Sequence, residues 1–372
     1  MPSTAARSSG GYGYWVTLAI MAAVLIAAPL FLSDFRLSLV GKFLTFAILA
    51  ISLDLIWGYA GMLSLGHGVF FGIGGYAMAM YLKMESSKGG LPDFMFWSGL
   101  EKLPVFWEPF RFAWFAIPMT FVLPALLAGG LGYLVFRSRI TGVYFAIITQ
   151  ALAMIMSLLF IGQQAYTGGT NGITNYSTIF GFLLVSPGTQ TVLYYVTVAV
   201  LIGVFMLSYA IVSSRFGRLL VAMRDDEVRV RFIGYNPAVL KTIVFALSGG
   251  IAGIAGALFA PQVGIISPAM MGIVPSIEIA VWVALGGRGT LFGAVIGALV
   301  VNSAKSGLSE SFPEIWQYFL GALFIGAVLL FPTGIVGLAQ SILGRLRAFI
   351  AQRRTPVALK RLEELEGVAQ HD

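Results

Sequence analysis

Long apolar blocks separated by short polar connections dominate this chain. No Asp, Glu, Lys or Arg occurs from Ile140 to Ser214, from Thr242 to Ile277, or from Ile315 to Gly344. Each run is long enough for at least one membrane span of about 20 apolar residues. Residues 1–13 are small and polar with Arg7, and an apolar run follows from Tyr14 to Leu32. That run exceeds a typical signal-peptide core and has no small-x-small cleavage site after it, so it predicts a retained first helix. Further spans are predicted near 39–57, 66–82, 113–136, 141–161, 192–212, 242–262, 275–285, 291–304 and 317–335. The segments 275–285 and 291–304 are too short to cross as straight helices, which leaves the total between eight and ten. The expected fold is all-α, a polytopic transmembrane helical bundle. It has a tail over 1–13, a membrane domain over 14–340 and a second tail over 341–372.

Composition agrees. Of 372 residues, 58% are hydrophobic and 10% charged, against about 25% charged in soluble domains, and the mean hydropathy is +0.89. With no cysteine, disulfide scaffolds, thiol catalysis and thiolate metal sites are excluded. His67 and His371 are the two histidines and lie far apart, so a helical zinc or di-iron site is not expected. The net charge of +7 resides in short connections, a membrane-orientation pattern and not a nucleic-acid-binding face.

With the N-terminus placed inside, the inner segments hold sixteen Lys and Arg residues and the outer ones six, so both termini are expected in the cytoplasm. Lys42 falls outside this tally, near enough to a helix end to snorkel. The outer loop 83–112 is rich in Pro, Trp and Phe, suited to the headgroup boundary. The inner loop 213–241 is too charged to be embedded. Leu219 to Phe232 has helix-forming composition, ended by Gly234, Asn236 and Pro237.

The clustered glycines (Gly66, Gly68, Gly72, Gly74 and Gly75; Gly249, Gly250, Gly253 and Gly256; Gly293 and Gly297) read as close helix packing. A phosphate loop would need a following Lys-Ser/Thr or a strand-to-helix context, and neither is present. An internal echo links Gly58-Tyr-Ala-Gly61-Met-Leu63 with Gly286-Gly-Arg-Gly289-Thr-Leu291. Each follows a span with a lone carboxylate, Asp54 or Glu278, as in repeats built around broken helices. Those two acids read either as pathway residues or as structural hydrogen-bonding groups. His67 reads as a substrate or proton contact, or as a histidine satisfied at a helix start. The uncharged stretch from Gly162 to Asn175, with Gln163, Thr170 and Asn171, offers amides and hydroxyls that could pass a small polar solute, or forms a plain turn-rich connector.

The strings GYAGMLSLGHGVFFGIGGY (58–76), TGGTNGI (167–173), AMRDDEVRVRFIGYNPAVLKTIVFALSGGIAGIAGAL (222–258) and GGRGTLFGAVIGAL (286–299) resemble the branched-chain amino-acid type of ABC importer permease. The segments LPDFMFW (91–97) and LPVFWEPF (103–110) are similar to its urea-uptake subgroup. The resemblance implies a non-enzymatic, cofactor-free subunit of the bacterial inner membrane. Its partners would be a second permease, two cytoplasmic ATPases that bind the ATP, and an extracytoplasmic solute-binding protein. It also implies that the 213–241 helix docks in an ATPase cleft. Ala222, Asp225, Glu227 and Gly234 match the family pattern there, Arg224 and Asp226 lie among them, and Arg229 and Arg231 stand where small residues are common. The expected path residues are Asp54, His67, Gln163, Thr170, Asn171 and Glu278. The scarcity of charge in the spans favours urea over zwitterionic branched-chain amino acids; an ATP-independent channel or carrier is the further alternative.

Overall fold

The computed structural model describes residues 11–88 and 90–312, with 318, 321–322, 325–326 and 334–338 beyond them. The tail 341–372, most of the tail 1–13 and most of the predicted span 317–335 lie outside the described residues.

In chain order the elements are α1 (Gly11–Ala27), α2 (Asp34–Asp54), α3 (His67–Ser86), α4 (Asp93–Trp97), α5 (Ala113–Arg137), α6 (Val143–Gly162) and α7 (Gln164–Thr167). The short strands β1 (Ile173–Thr174), β2 (Thr178–Ile179) and β3 (Phe182–Leu183) follow. After them come α8 (Pro187–Ser213), α9 (Arg215–Asp225), α10 (Glu227–Phe232), α11 (Pro237–Val263), β4 (Ile265–Ile266), α12 (Ile273–Gly286) and α13 (Leu291–Ser311). Among the described residues six helical stretches, Asp34–Tyr59, Ala113–Arg137, Val143–Gly162, Pro187–Ser213, Pro237–Val263 and Leu291–Glu310, are long and apolar enough to cross a membrane. α1 and α12 are shorter, and α3 has the length but carries many small and polar residues.

The bundle is built around α11, which packs on α5, α3, α2 and α8. Burial separates the layers: 78% of the most apolar window of α2 is covered by protein, against 22% for α6. The exposed face of α6 is itself apolar, with Val143, Tyr144, Ile147, Ile155 and Leu158, as a lipid-facing helix requires. The small strands tie loops together at one end. Ile173 pairs with Ile266 and Thr174 with Ile265; Thr178 pairs with Leu183 and Ile179 with Phe182. Lys83 at the end of α3 fixes the same region through Asp93 (2.8 Å) and the carbonyls of Thr174 and Asn175 (2.9 and 3.2 Å). Glu85 accepts from the Phe180 and Gly181 amides.

Three breaks position the interior. α2 ends in a π-turn over Leu55–Tyr59, and an irregular stretch then runs into the bundle to the start of α3. After α11 the chain turns at Gly264 and descends along α3, with Ile266 against Gly75, Met271 against Gly72 and Met270 against Gly68, before α12 begins. α12 and α13 are separated by the Gly287–Thr290 turn.

Two expectations are corrected. The segment Leu219–Phe232 is not one helix: Asp226 leaves helical geometry (φ −156°, ψ 101°) and caps a second helix, accepting from the Val228 and Arg229 amides at 3.0 and 3.2 Å. An Asp competes for local backbone donors in this way and so favours a helix start over a helix interior. α13 runs on to Ser311 instead of ending near 304, so Lys305 is a bundle residue and not a loop residue.

Glycine clustering serves helix contact. A Cβ on Gly74 would overlap the Gly253 backbone, one on Gly256 the Phe71 carbonyl, and one on Gly286 the Gly293 carbonyl. Among the described residues nothing lies within 4 Å of the corresponding point at Gly203. Gly256→Val should therefore lower the thermal unfolding temperature of the detergent-solubilised protein or abolish its accumulation, because overpacking of this kind costs about 1–3 kcal/mol or more. Gly203→Ala should leave the melting curve unchanged or slightly higher.

Candidate functional site

One end of the bundle carries a charged hairpin formed by α9 and α10. Ser214 caps α9 by accepting from the Gly217 amide at 3.3 Å, and Asp226 caps α10. Leu220, Met223 and Val230 face inward and are buried. Glu227 binds Arg231 at 2.8 Å and Lys241, on the first turns of α11, at 2.6 Å. Asp226 also pairs with Arg229 at 2.9 Å, and Asp225, itself exposed, with Arg224 at 3.2 Å. Ala222 and Gly234 are exposed. The surface left open is apolar and basic, with Phe232 86% exposed, Ile233 65%, and Val228, Tyr235, Arg218 and Arg229 beside them.

The hairpin is tied to the bundle through a compact latch. Arg224 Nη1 donates to the Gly58 carbonyl at 2.7 Å. Gly61 has φ +75°, and a Cβ there would meet Arg224 Cγ at 2.7 Å. Gly58 lies directly against Gly289, with its Cβ position 2.6 Å from the Gly289 nitrogen. Asp54, wholly buried, accepts from that same Gly289 amide at 2.7 Å. Arg288 donates to the Trp57 carbonyl at 3.2 Å and lies over the Trp57 ring at 5.2 Å. Burial and Arg224 press the Arg288 guanidinium below its ordinary value, while Asp54 supports its charge. The two echoed strings, 58–63 and 286–291, therefore meet in space, with the carboxylate preceding the first bonded to the second.

His67 opens α3 inside the bundle. Its Nε2 lies 2.9 Å from Ser52 Oγ and 3.2 Å from Ser248 Oγ. Ser52 gives its proton to the Leu49 carbonyl and Ser248 to the Ser52 carbonyl, so Nε2 carries the hydrogen and donates to the hydroxyls. This group joins α2, α3 and α11 and is fully buried. Close by, the Gly68 amide donates to Ser276 Oγ at 3.2 Å and the Leu65 amide to Thr149 Oγ1 at 3.0 Å.

A cavity of about 540 Å³ opens between α2, the start of α3, α12 and α13, within the usual range for small-molecule sites. Phe43, Phe46, Phe71, Phe259, Ile279 and Trp282 form its apolar wall. Its polar groups are Lys42, Glu278, Asn302, Lys305, Ser306, Ser309 and Glu310. Both oxygens of Glu278 accept from Lys305 Nζ at 2.8 Å. Lys42 is twelve residues before Asp54 on α2, about 18 Å along the axis at 1.5 Å per residue. From the other end of the helix, at Asp34, it is eight residues, about 12 Å.

Of the six expected path residues, only Glu278 lines this cavity. Asp54 belongs to the latch, His67 is enclosed beside the cavity, and Gln163, Thr170 and Asn171 are exposed on the opposite end of the bundle from the hairpin. Lys42, Asn302 and Lys305 were not singled out from sequence. Lys42, the fourth residue of the predicted span 39–57, reads from sequence as a snorkelling residue near a helix end. Lys305 carried no signal, because the predicted helix stopped before it. Among the described residues no group of three or more His, Asp or Glu side chains is placed to hold a metal ion.

The family model described as the permease component of the branched-chain amino acid transport system matches residues 35–328. The high-affinity branched-chain amino acid transport system permease protein LivM of Escherichia coli (strain K12) is 26% identical over 351 residues, covering 88% of this chain and 75% of its own length. The corresponding LivH protein of that strain is 24% identical over 305 residues, 79% of this chain and 91% of its own. The autoinducer 2 import system permease protein LsrC of Photorhabdus luminescens is 29% identical over 170 residues, covering 43% of this chain and 48% of its own length. No solved structure matches.

The ion pairs of the hairpin give it a pH signature. Burial works to raise the Glu227 carboxyl, but the hydrogen bonds and charges of Lys241 and Arg231 outweigh it and hold the group below its ordinary value. A depressed carboxylate stabilises the folded form above its ordinary value and loses that contribution as pH falls through the lowered one. Protease protection of the α9–α10 hairpin should hold from pH 7 to about 5 and fall below about pH 4. Glu227→Gln should weaken protection at pH 7 and flatten that dependence.

Proposed function

This chain belongs to the branched-chain amino acid permease family, and we propose that it is the membrane-spanning subunit of an ATP-driven importer that carries branched-chain amino acids across the bacterial inner membrane. The observation that carries this reading is the family match, which begins in α2 and extends past α13. It therefore includes the hairpin, the latch and the cavity together. In this reading the hairpin end is cytoplasmic, as the Lys and Arg excess predicts. Two ATPase subunits dock there, a second permease completes the path, and a solute-binding protein delivers solute to the end closed by β1 and β4.

Urea is set aside as the preferred solute. The case for it rested on the outer-loop strings at 91–97 and 103–110 and on spans with almost no charge, whereas the cavity contains Lys42, Glu278 and Lys305. A zwitterion meets complementary charges there, and its side chain meets an aromatic wall. The LivM and LivH proteins, which align over most of this chain, are amino-acid permeases by description, and none of the relatives reported above is a urea permease.

The mechanism asks no covalent chemistry of this chain. Closure of the ATPases would move the α9–α10 hairpin as a body. Arg224 would carry that displacement to Gly58, and the Asp54–Gly289 bond would pass it to the turn between α12 and α13, two walls of the cavity. Switching between two packed arrangements, each favoured by a different nucleotide state, would expose the cavity to alternate sides.

Reconstituted with its partners, the chain should support ATP-dependent uptake of labelled leucine, competed by isoleucine and valine and not by urea. Uptake that continues without the ATPases would contradict the importer reading. The double variant Phe232→Asp/Ile233→Asp should cut ATP-driven uptake by at least about tenfold, the loss expected when apolar anchors are removed from a docking surface. Because both side chains are exposed, its thermal unfolding should match that of the unmodified protein.

A further inference from the structure

We propose that the cavity between α2, α12 and α13 is a carboxylate-recognition station in which Lys42 binds the carboxylate of a zwitterionic amino acid and the aromatic wall receives its apolar side chain. The inference rests on the importer reading above and adds to it the groups that hold the solute.

Four charged residues line the cavity: Lys42, Glu278, Lys305 and Glu310. Glu278 is answered by Lys305 through both of its oxygens. Lys42 enters no ion pair among the described residues, and its Nζ lies 5.9 Å from the Phe46 ring centroid. Lys42 is thus left without a carboxylate among the described residues; Glu310, the second acid of the lining, is exposed. An ammonium held within the hydrocarbon layer is costly, so such groups face a partner or a solute path. A solute carboxylate would supply the missing negative charge.

The surroundings narrow the class further. Phe46 stacks on Phe259 at 5.5 Å and contacts Trp282 at 5.0 Å, and Phe71 meets Phe259 edge-on at 5.2 Å. This rigid apolar surface begins beside Lys42 and suits a branched aliphatic side chain attached close to a carboxylate. The ammonium of the same solute is directed to Glu278, which can share its two oxygens between Lys305 and the ligand. Urea presents neither a carboxylate nor an apolar group and would leave both Lys42 and the aromatic wall unmatched.

The test uses the full complex with its permease and ATPase partners in lipid nanodiscs, without the solute-binding protein, so that binding to the membrane subunits alone is read. Labelled leucine is displaced by leucine, by 4-methylpentanoate (carboxylate and side chain, no amine) and by leucinamide (amine and side chain, no carboxylate). The expected result is displacement by 4-methylpentanoate within about tenfold of leucine, with leucinamide weaker still. Lys42→Gln should weaken leucine binding by about tenfold or more, the loss of a charge-assisted hydrogen bond, and Lys42→Arg should recover most of it. Equal displacement by leucinamide, unchanged binding in Lys42→Gln, or no saturable leucine binding would overturn the proposal. Uptake with the binding protein present separates the two readings. Leucine transport that is unaltered in Lys42→Gln removes the station and leaves the importer reading intact. A wild-type complex that carries urea and not leucine removes both.

Discussion

Backbone amides and carbonyls that leave a helix inside a bilayer have no water to bind, so every break in this bundle must be answered by another part of the protein. That requirement organises the interior. The irregular stretch before α3 is answered by Thr149 and Ser276, which take the Leu65 and Gly68 amides. The turn between α12 and α13 is answered by Asp54, which takes the Gly289 amide. The π-turn that ends α2 is answered from two sides, by Arg224 on the Gly58 carbonyl and Arg288 on the Trp57 carbonyl. Each bond that satisfies a broken backbone also joins two elements distant in sequence.

The same requirement explains why glycine is concentrated where it is. Donor and acceptor can meet at Asp54 and Gly289 because Gly58 lets the two turns touch, and any side chain at that position would hold them apart. α12 can start inside the bundle because Gly68, Gly72 and Gly75 leave room along α3 for the descending chain. In the proposed function these contacts acquire a second role. A hairpin attached at Gly58 and Gly61 is attached, one bond further on, to the turn that joins two walls of the cavity. A displacement at the surface has a short rigid route to the place where solute would be held.

Much of this architecture was legible in the sequence. Uncharged runs located α6, α8 and α11, because apolar length is the property a bilayer selects. The glycine spacing announced close packing, and the echo of 58–63 in 286–291 pointed to two turns that prove to be neighbours. What could not be read was pairing. Asp54 and Glu278 look alike as lone acids in apolar segments, yet one bonds a backbone amide and the other a lysine on α13, and no local pattern distinguishes them. Lys305 was hidden because polar residues at the end of α13 resemble a loop, when they line a cavity. Asp226 was read as part of one helix because composition favours helix across it, and its side chain instead starts a new one.

The account stands or falls on whether the cavity beside Lys42 changes the side to which it is open. Since the chain has no cysteine of its own, a single Ser306→Cys substitution at the cavity lining reports this directly through reaction with a membrane-impermeant thiol reagent in the assembled complex. The account predicts labelling from one face without nucleotide, loss of that labelling when ATP and vanadate trap the ATPases closed, and protection by leucine. Equal labelling in every nucleotide state, with no effect of leucine, would contradict it.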